Sequence, residues 1–284
     1  MRWPPPAAGR ASRRAPPSVA ADLRAEWQDG EVLVLTIDRP ARRNVLDHDL
    51  LRALAEHLRE EGGKAAAVVL RGAGGRAFSA GFDLGLLEGT ELDLEADASI
   101  GGAVQALAEC PAPVVAEIGG HCHGGGVELA LSCDLRIASG DLSLSLGAVS
   151  LSVVYRYEFL VRLVATCGLG RAQDLLLGQR RLGATEALAW GLVTEVVSPE
   201  ELERRALEVA RAAASLPRIA FAGTKASLLR AAQGALGEEG LRVTLDWRRE
   251  AASSDERRER LSAARARLKG RSSPAAARKK KEKA

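Results

Sequence analysis

Residues 119–134 read Gly119-Gly120-His121-Cys122-His123-Gly124-Gly125-Gly126-Val127-Glu128-Leu129-Ala130-Leu131-Ser132-Cys133-Asp134. Three consecutive glycines stand between an apolar run at 113–118 and another that starts at Val127. Such a spacing lets the backbone approach another group closely, or take a positive φ. A helix that begins here presents unpaired N–H groups and the positive end of its dipole. An anion fits there, as does an oxygen that gains negative charge during a reaction. Glu128 follows about one turn in, where a carboxylate can serve as acid or base. A second glycine cluster, Gly72-Ala73-Gly74-Gly75-Arg76-Ala77-Phe78-Ser79-Ala80-Gly81-Phe82-Asp83, also follows an apolar run. Gly72-x-Gly74-x-x-Ala77 matches a dinucleotide fingerprint on paper, but a helix should begin there and Gly81 interrupts it. His121 and His123 are two apart, so in an extended segment both point to one side. Cys122 and Cys133 lie near, yet the four have no known zinc-ligand spacing, and the expectation is buried or interface histidines with no metal.

These residues need strands and helices to hold them. Residues 31–38 and 65–70 are apolar and rich in β-branched side chains, and read as strands, as do 113–118 and 134–138. Leucines at 50, 51, 54 and 58 form a helical stripe over 47–60, with Asp47 as N-cap, and 99–110 reads as a further helix. Strand and helix alternate, which predicts an α/β domain with largely parallel pairing. From about residue 168 helices dominate, over 171–177, 185–190, 199–215, 219–235 and 241–252, with an extended piece at 191–197. A last charged helix spans 255–269, with Ser254 as its N-cap. The loop after Asp83 holds two glycines and an acidic segment at 91–97. It reads equally as a mobile lid and as an ordinary surface loop.

Taken together, the motifs resemble those of the crotonase superfamily, the enoyl-CoA hydratases and isomerases. That family reads Asn-Gly-x-Ala-x-Gly-Gly-Gly-x-Glu-Leu-Ala and then Cys-Asp; here Gly119 stands for the Asn and Cys122 for the Ala. The second cluster is similar to the family's Gly-x-Gly-x-x-Phe-x-Ala-Gly-x-Asp, with one extra residue before Phe78. Residues 39–46 are similar to its Arg-Pro-x-x-x-Asn-Ala-Leu loop, with Val45 for the Ala, and 187–193 to its Ala-x-x-x-Gly-Leu-Val segment. The resemblance covers roughly residues 24–270. It implies a crotonase-like ββα spiral core (21–200) and a helical C-terminal trimerisation region (201–270), assembled as a homotrimer or hexamer. It also implies an acyl-CoA or other acyl-thioester substrate, with coenzyme A as part of that substrate and no separate cofactor. Residue by residue, the oxyanion-hole N–H groups fall on Phe82 and Gly125, and the acid or base on Glu128. Substrate contacts fall on Arg42, Arg43, Asn44, Ala80, Asp83 and Gly124. Arg42 and Arg43 could pair with CoA phosphates or be exposed loop charges; Arg267 and Lys269 are weaker candidates for that role.

The chain departs from the family in one place that matters. The second glutamate of a hydratase falls on Ala148, and its Pro-Gly-x-Gly-Gly turn is replaced by Tyr155-Arg156-Tyr157-Glu158-Phe159. Alanine moves no proton, so ordinary hydration should be weak. One carboxylate beside an oxyanion hole can still shift a double bond, or manage proton return after decarboxylation or carbon–carbon cleavage. His123, Tyr155, Tyr157 and Glu158 are the auxiliary candidates for the missing acid. The expected activity is therefore isomerase- or lyase-like. The alternatives are a weak or specialised hydratase and a non-catalytic acyl-CoA-binding scaffold.

Composition sets outer bounds. With 284 residues, 46% apolar and 27% charged, the chain can bury one good core, and a net charge of +3 does not by itself call for nucleic acid. Four cysteines in or beside core elements, with no regular spacing, suit reduced thiols in a cytoplasmic protein. No apolar run approaches a membrane span. Residues 1–20, rich in Pro, Arg and Ala, read as a disordered extension or, less well, a transit peptide. Residues 271–284 form a basic tail that reads as solvated disorder; an RNA- or membrane-binding tail is the alternative.

Overall fold

The computed structural model describes residues 22–233, 249, 253 and 255–271. The extension at 1–20, the helix expected over 241–252 and the basic tail beyond Arg271 lie outside the described residues.

Two sheets carry the domain. The first is six-stranded, in the order β1 (Leu23–Gln28), β2 (Val32–Ile37), β3 (Ala67–Gly72), β5 (Val114–Ile118), β7 (Leu135–Ser139) and β10 (Glu195–Val197). Only β1, hydrogen-bonded to β2, runs antiparallel. The second sheet runs β4 (Ala77–Ser79), β6 (His121–His123), β8 (Ser143–Ser145) and β9 (Arg181–Gly183), with β9 antiparallel. Each of β3, β5 and β7 is followed within a few residues by a short strand of the second sheet and then by a helix. Those helices are α2 (Leu94–Glu109), α3 (Gly125–Ser132) and α4 (Tyr157–Cys167). The repeating unit is thus strand, strand, helix, wound as a spiral.

The alternation of β2 shows how the core divides. Leu33, Leu35 and Ile37 face the main core, together with Leu50, Leu51 and Leu54 of α1 (His48–His57). Val32 and Val34 face a second cluster with Ala67, Val69, Val115 and Ile137. That face is covered by Leu202, Ala206 and Ala210 of α7 (Leu202–Ala214). A strand buried on both faces is apolar throughout, which is why 31–38 and 65–70 were readable as strands. Asp47 caps α1 as expected, accepting from the Leu50 N–H at 2.9 Å. Between α4 and α7 lie α5 (Leu169–Leu176) and α6 (Ala184–Ala189).

Two C-terminal helices are fastened by buried cations. In α8 (Arg218–Gln233), Lys225 donates to Asp134 at 2.9 Å and to the Leu107 and Cys110 carbonyls. In α9 (Asp255–Arg271), Arg257 pairs with Asp93 at 2.6 Å. Leu261 of α9 packs on Leu87, and Arg265 donates to the Leu84 carbonyl at 2.8 Å. These contacts bear on the loop after Asp83, which reads equally as a mobile lid and as an ordinary surface loop. The segment forms two 3-10 turns, and its buried Asp93 accepts from the Glu88 and Gly89 N–H groups as well as from Arg257. It is an anchored loop under α9, and α2 starts five residues earlier than 99 because the acidic stretch forms its first turn. Among the described residues no helix is long and apolar enough to cross a membrane.

Candidate functional site

The second sheet brings the two glycine clusters together. β4 and β6 pair in parallel, Ala77 with His121 and Ser79 with Cys122. The segments that leave these strands therefore emerge side by side, one into Gly81-Phe82 and the other into Gly124-Gly125. Gly81 has φ +90, and a Cβ there would lie 2.9 Å from the His123 carbonyl and 3.4 Å from the Gly125 nitrogen. A side chain is excluded by both conformation and space. Phe82 bridges Leu46 in parallel: the Leu46 N–H donates to the Gly81 carbonyl at 2.9 Å, and the Asp83 N–H to the Leu46 carbonyl at 2.8 Å. A parallel bridge uses the groups flanking Phe82, so the N–H of Phe82 itself points the other way. On that side lies Gly125; a Cβ built on it would come 3.8 Å from the Phe82 nitrogen.

Gly124 sets the entry to α3. It has φ 52 and ψ −122, its N–H donates to Ser145 at 3.0 Å, and its carbonyl accepts the Val127 and Glu128 N–H groups. Gly125 begins the helix, where the first N–H groups lack intrahelical partners. The start of α3 and the segment around Phe82 thus lie side by side. Glu128, three residues on, shares the helix face of Gly125 and is 2% exposed.

The structure adds a partner that sequence reasoning missed. Arg156, the residue before α4, donates through Nη2 to Glu128 Oε1. Glu128 is buried, at 3% side-chain exposure, and Arg156 is half-buried, at 12%. Arg156 belongs to the stretch noted only for what it lacked; the readable signal was a cation where a glycine turn is usual. Ala148 is buried and opens the 3-10 turn Val149–Leu151, so no carboxylate reaches the site from there.

The auxiliary candidates fall in different places. Tyr155 packs on Phe159, with ring centroids 4.9 Å apart. Burial first, and then the charges of Glu128 and Asp97, push its phenol well above the usual range, so it stays protonated. Glu158 is exposed at the rim of the cavity that Glu128 lines, and Tyr157 is half-buried at the start of α4. His123 exchanges a 2.9 Å hydrogen bond with the Ser145 hydroxyl. Burial, with Arg181 and His121 adding repulsion, pushes its imidazole down to about 4. His121 and His123 do share one side, with centroids 5.3 Å apart, while Cys122 points into the core. Among the described residues no three His, Cys, Asp or Glu side chains are grouped as a metal ion would need.

Of the expected substrate contacts, Asn44 is corrected. It is 0% exposed, donates to the Ala73 and Ala77 carbonyls at 3.0 and 2.7 Å and accepts from the Arg39 N–H at 3.0 Å. Its whole amide is used to clamp the glycine loop, so its role is structural. Asp83 accepts from the Gly85 N–H and pairs with the exposed Arg42 at 2.5 Å. Ala80 donates to the carbonyl of Arg43, whose side chain is exposed. Arg267 is exposed on α9; the side chain of Lys269 lies outside the described residues.

A spiral of strand–strand–helix units that sets a glycine turn at a helix start beside a buried carboxylate defines a class of protein. Residues 28–269 match the family model described as enoyl-CoA hydratase/isomerase, and the chain belongs to that family. It is 33% identical over 210 residues to a short-chain-enoyl-CoA hydratase of Clostridium acetobutylicum, covering 72% of this chain and 80% of the relative. It is 31% identical over 252 residues to a peroxisomal Delta(3,5)-Delta(2,4)-dienoyl-CoA isomerase of Arabidopsis thaliana, covering 83% and 90%. A crystal structure of an enoyl-CoA hydratase from Mycobacterium avium subsp. paratuberculosis K-10 superposes with a TM-score of 0.76 at 31% identity, covering 87% of this chain and 96% of that one. The fold is the crotonase fold.

Proposed function

We propose that this chain processes an acyl-CoA thioester through its enolate, as an isomerase or lyase rather than as a standard hydratase. The thioester oxygen accepts from the N–H groups of Phe82 and Gly125, which strengthen their hold as negative charge develops on it. Glu128 takes or returns the proton at carbon. The observation that carries this reading is the pairing of Glu128 with Arg156 beside those N–H groups while position 148 is a buried alanine. Hydration needs one group to activate water and another to deliver a proton. A double-bond shift needs one base, which removes a proton from one carbon and returns it to another. A lyase needs only the return step, because the bond that breaks leaves its electron pair in the enolate.

Likeness to the clostridial hydratase favours a second reading, a weak or specialised hydratase. The test compares hydration of crotonyl-CoA with isomerisation of a 3-enoyl-CoA in wild type, Glu128→Gln and Ala148→Glu. We expect slow hydration, isomerisation or decarboxylation abolished by Glu128→Gln, and a gain in hydration from Ala148→Glu. Hydration at a rate of order 10³ s⁻¹, the upper end of ordinary turnover, refutes the one-base reading. A Glu128→Gln variant that changes nothing on any thioester points to the scaffold instead. A homotrimer or hexamer is proposed for the assembly, to be checked by light scattering. Four free, buried cysteines suit a cytoplasmic location.

A further inference from the structure

Glu128 and Arg156 line a cavity of about 1060 Å³ between α2, α3, α4 and α8. Its walls are partly apolar, including Val104, Leu131, Val161 and Leu229. A purely hydrocarbon acyl group would need nothing more. Yet its lining includes Arg156, and a half-buried guanidinium with a buried Nε is costly unless its donors are met. Arg156 has five N–H donors. Nη2 serves Glu128, while the buried Nε has no hydrogen-bond partner among the described residues. Gly101 leaves the room that Nη1 occupies: a Cβ there would lie 2.7 Å from it. Arg162, within α4, lines the same cavity and makes a long 3.4 Å contact to the Leu131 carbonyl. The other charges of the lining are engaged or peripheral. Asp134 is held by Lys225, Arg136 donates to the Cys133 and Leu192 carbonyls, and Glu109 and Glu158 are exposed.

The donor edge sits beside the proposed oxyanion space. Ile100 of α2 lies 3.2 Å from a Cβ built on Gly125, and the next residue, Gly101, packs on Arg156. An acyl chain whose carbonyl meets Gly125 would bring its substituents along α2 towards the guanidinium.

We infer that Arg156 is a specificity residue for a carboxylate carried on the acyl group, so that the substrate is the thioester of a dicarboxylic acid. This deepens the thioester reading and rests on it. A carboxylate can accept from the Arg156 donors that Glu128 leaves, and Arg162 adds a second cation to the same cavity. The test is calorimetric binding of succinyl-CoA and butyryl-CoA, which have equal acyl length and differ in the terminal carboxylate. In wild type, succinyl-CoA should bind about tenfold tighter or more. That ratio should fall close to one in Arg156→Gln and be partly kept in Arg156→Lys. Circular dichroism reports whether each variant folds. Should Arg156→Gln not fold, Gly101→Ala, which displaces Nη1, should lower the ratio at least threefold. A wild-type ratio of one or below, or a ratio that survives these variants, overturns the inference and leaves the thioester reading intact. Binding of neither thioester overturns both.

Discussion

The buried pair between Asp93 and Arg257 offers a quantitative test of how the C-terminal helix supports the site. The side chains are 2% and 4% exposed and meet at 2.6 Å. Asp93 also accepts from the N–H groups of Glu88 at 2.7 Å and Gly89 at 2.9 Å. Asp93→Ala removes the carboxylate and leaves a buried guanidinium without that partner. Breaking such a pair from one side costs about 3–5 kcal/mol. Total stabilities are about 5–15 kcal/mol, so the loss is a large share. Removing both charges in Asp93→Ala with Arg257→Met should cost much less, because no charge is left buried. The cycle should therefore return a coupling of about 2 kcal/mol or more.

Urea unfolding at fixed protein concentration measures all four corners of that cycle. Leu87, Leu261, Phe82, Leu84 and Leu151 form one apolar cluster under α9. Hydrogen exchange should accordingly quicken at Glu88 and Gly89 in Asp93→Ala, and the segment that carries Phe82 should loosen with them. An Asp93→Ala variant within about 1 kcal/mol of wild type, with exchange at these amides unchanged, refutes the reasoning.

Three further outcomes are expected. Burial outweighs Arg71 and raises the Glu117 carboxyl from 4.5 to about 7, so its stability cost grows as pH rises through that window. Glu117→Gln should then gain up to about 3 kcal/mol at pH 8 and almost nothing at pH 4, in paired denaturation curves. His123 is lowered from 6.5 to about 4, so its contribution is complete above pH 6.5 and is lost as pH falls towards 4. His123→Gln should flatten that acid limb by about 1–2 kcal/mol after screening by solvent, and an unchanged limb would show that this imidazole does not titrate as described. Gly125→Ala puts a methyl 3.2 Å from Ile100 and 3.8 Å from the Phe82 nitrogen. Turnover of any thioester substrate should fall about 10²-fold or more while the melting temperature moves by only a few degrees, and a variant of normal turnover would move the oxyanion space elsewhere.

Much of the first sheet was legible because β2, β3 and β5 are buried on both faces and announce themselves as apolar runs. The second sheet was not. Its strands are three residues long, too short for a period of two to show, and two of them sit inside glycine clusters that read as turns. β1 was missed for another reason: its alternation of Leu23, Ala25 and Trp27 with Arg24, Glu26 and Gln28 is short and includes a small alanine, although it does mark the face that packs on the core. At the candidate site, the glycines showed where backbone must meet backbone, while the pairing of Phe82 with Gly125 came from the resemblance to the family's motifs. Asn44 was misread as a substrate contact since a motif does not say which way an amide faces. Arg156 was invisible as a partner because its contact with Glu128 spans 28 residues and two helices.

That long-range contact changes what a lone carboxylate can do. Arg156 restricts the Glu128 carboxylate to one orientation, as a charge-assisted hydrogen bond does. On the function proposed above, the nearest acceptor for a proton that Glu128 removes is the enolate beside Phe82 and Gly125. Rapid return to a neighbouring carbon is isomerisation. Delivery of water, by contrast, needs a second group to steer the oxygen, and the position that would hold it is a buried alanine on a turn packed beneath α9. On that proposal the cation at Glu128 and the alanine at 148 act in the same direction: both would favour moving a proton within the substrate over adding one from solvent.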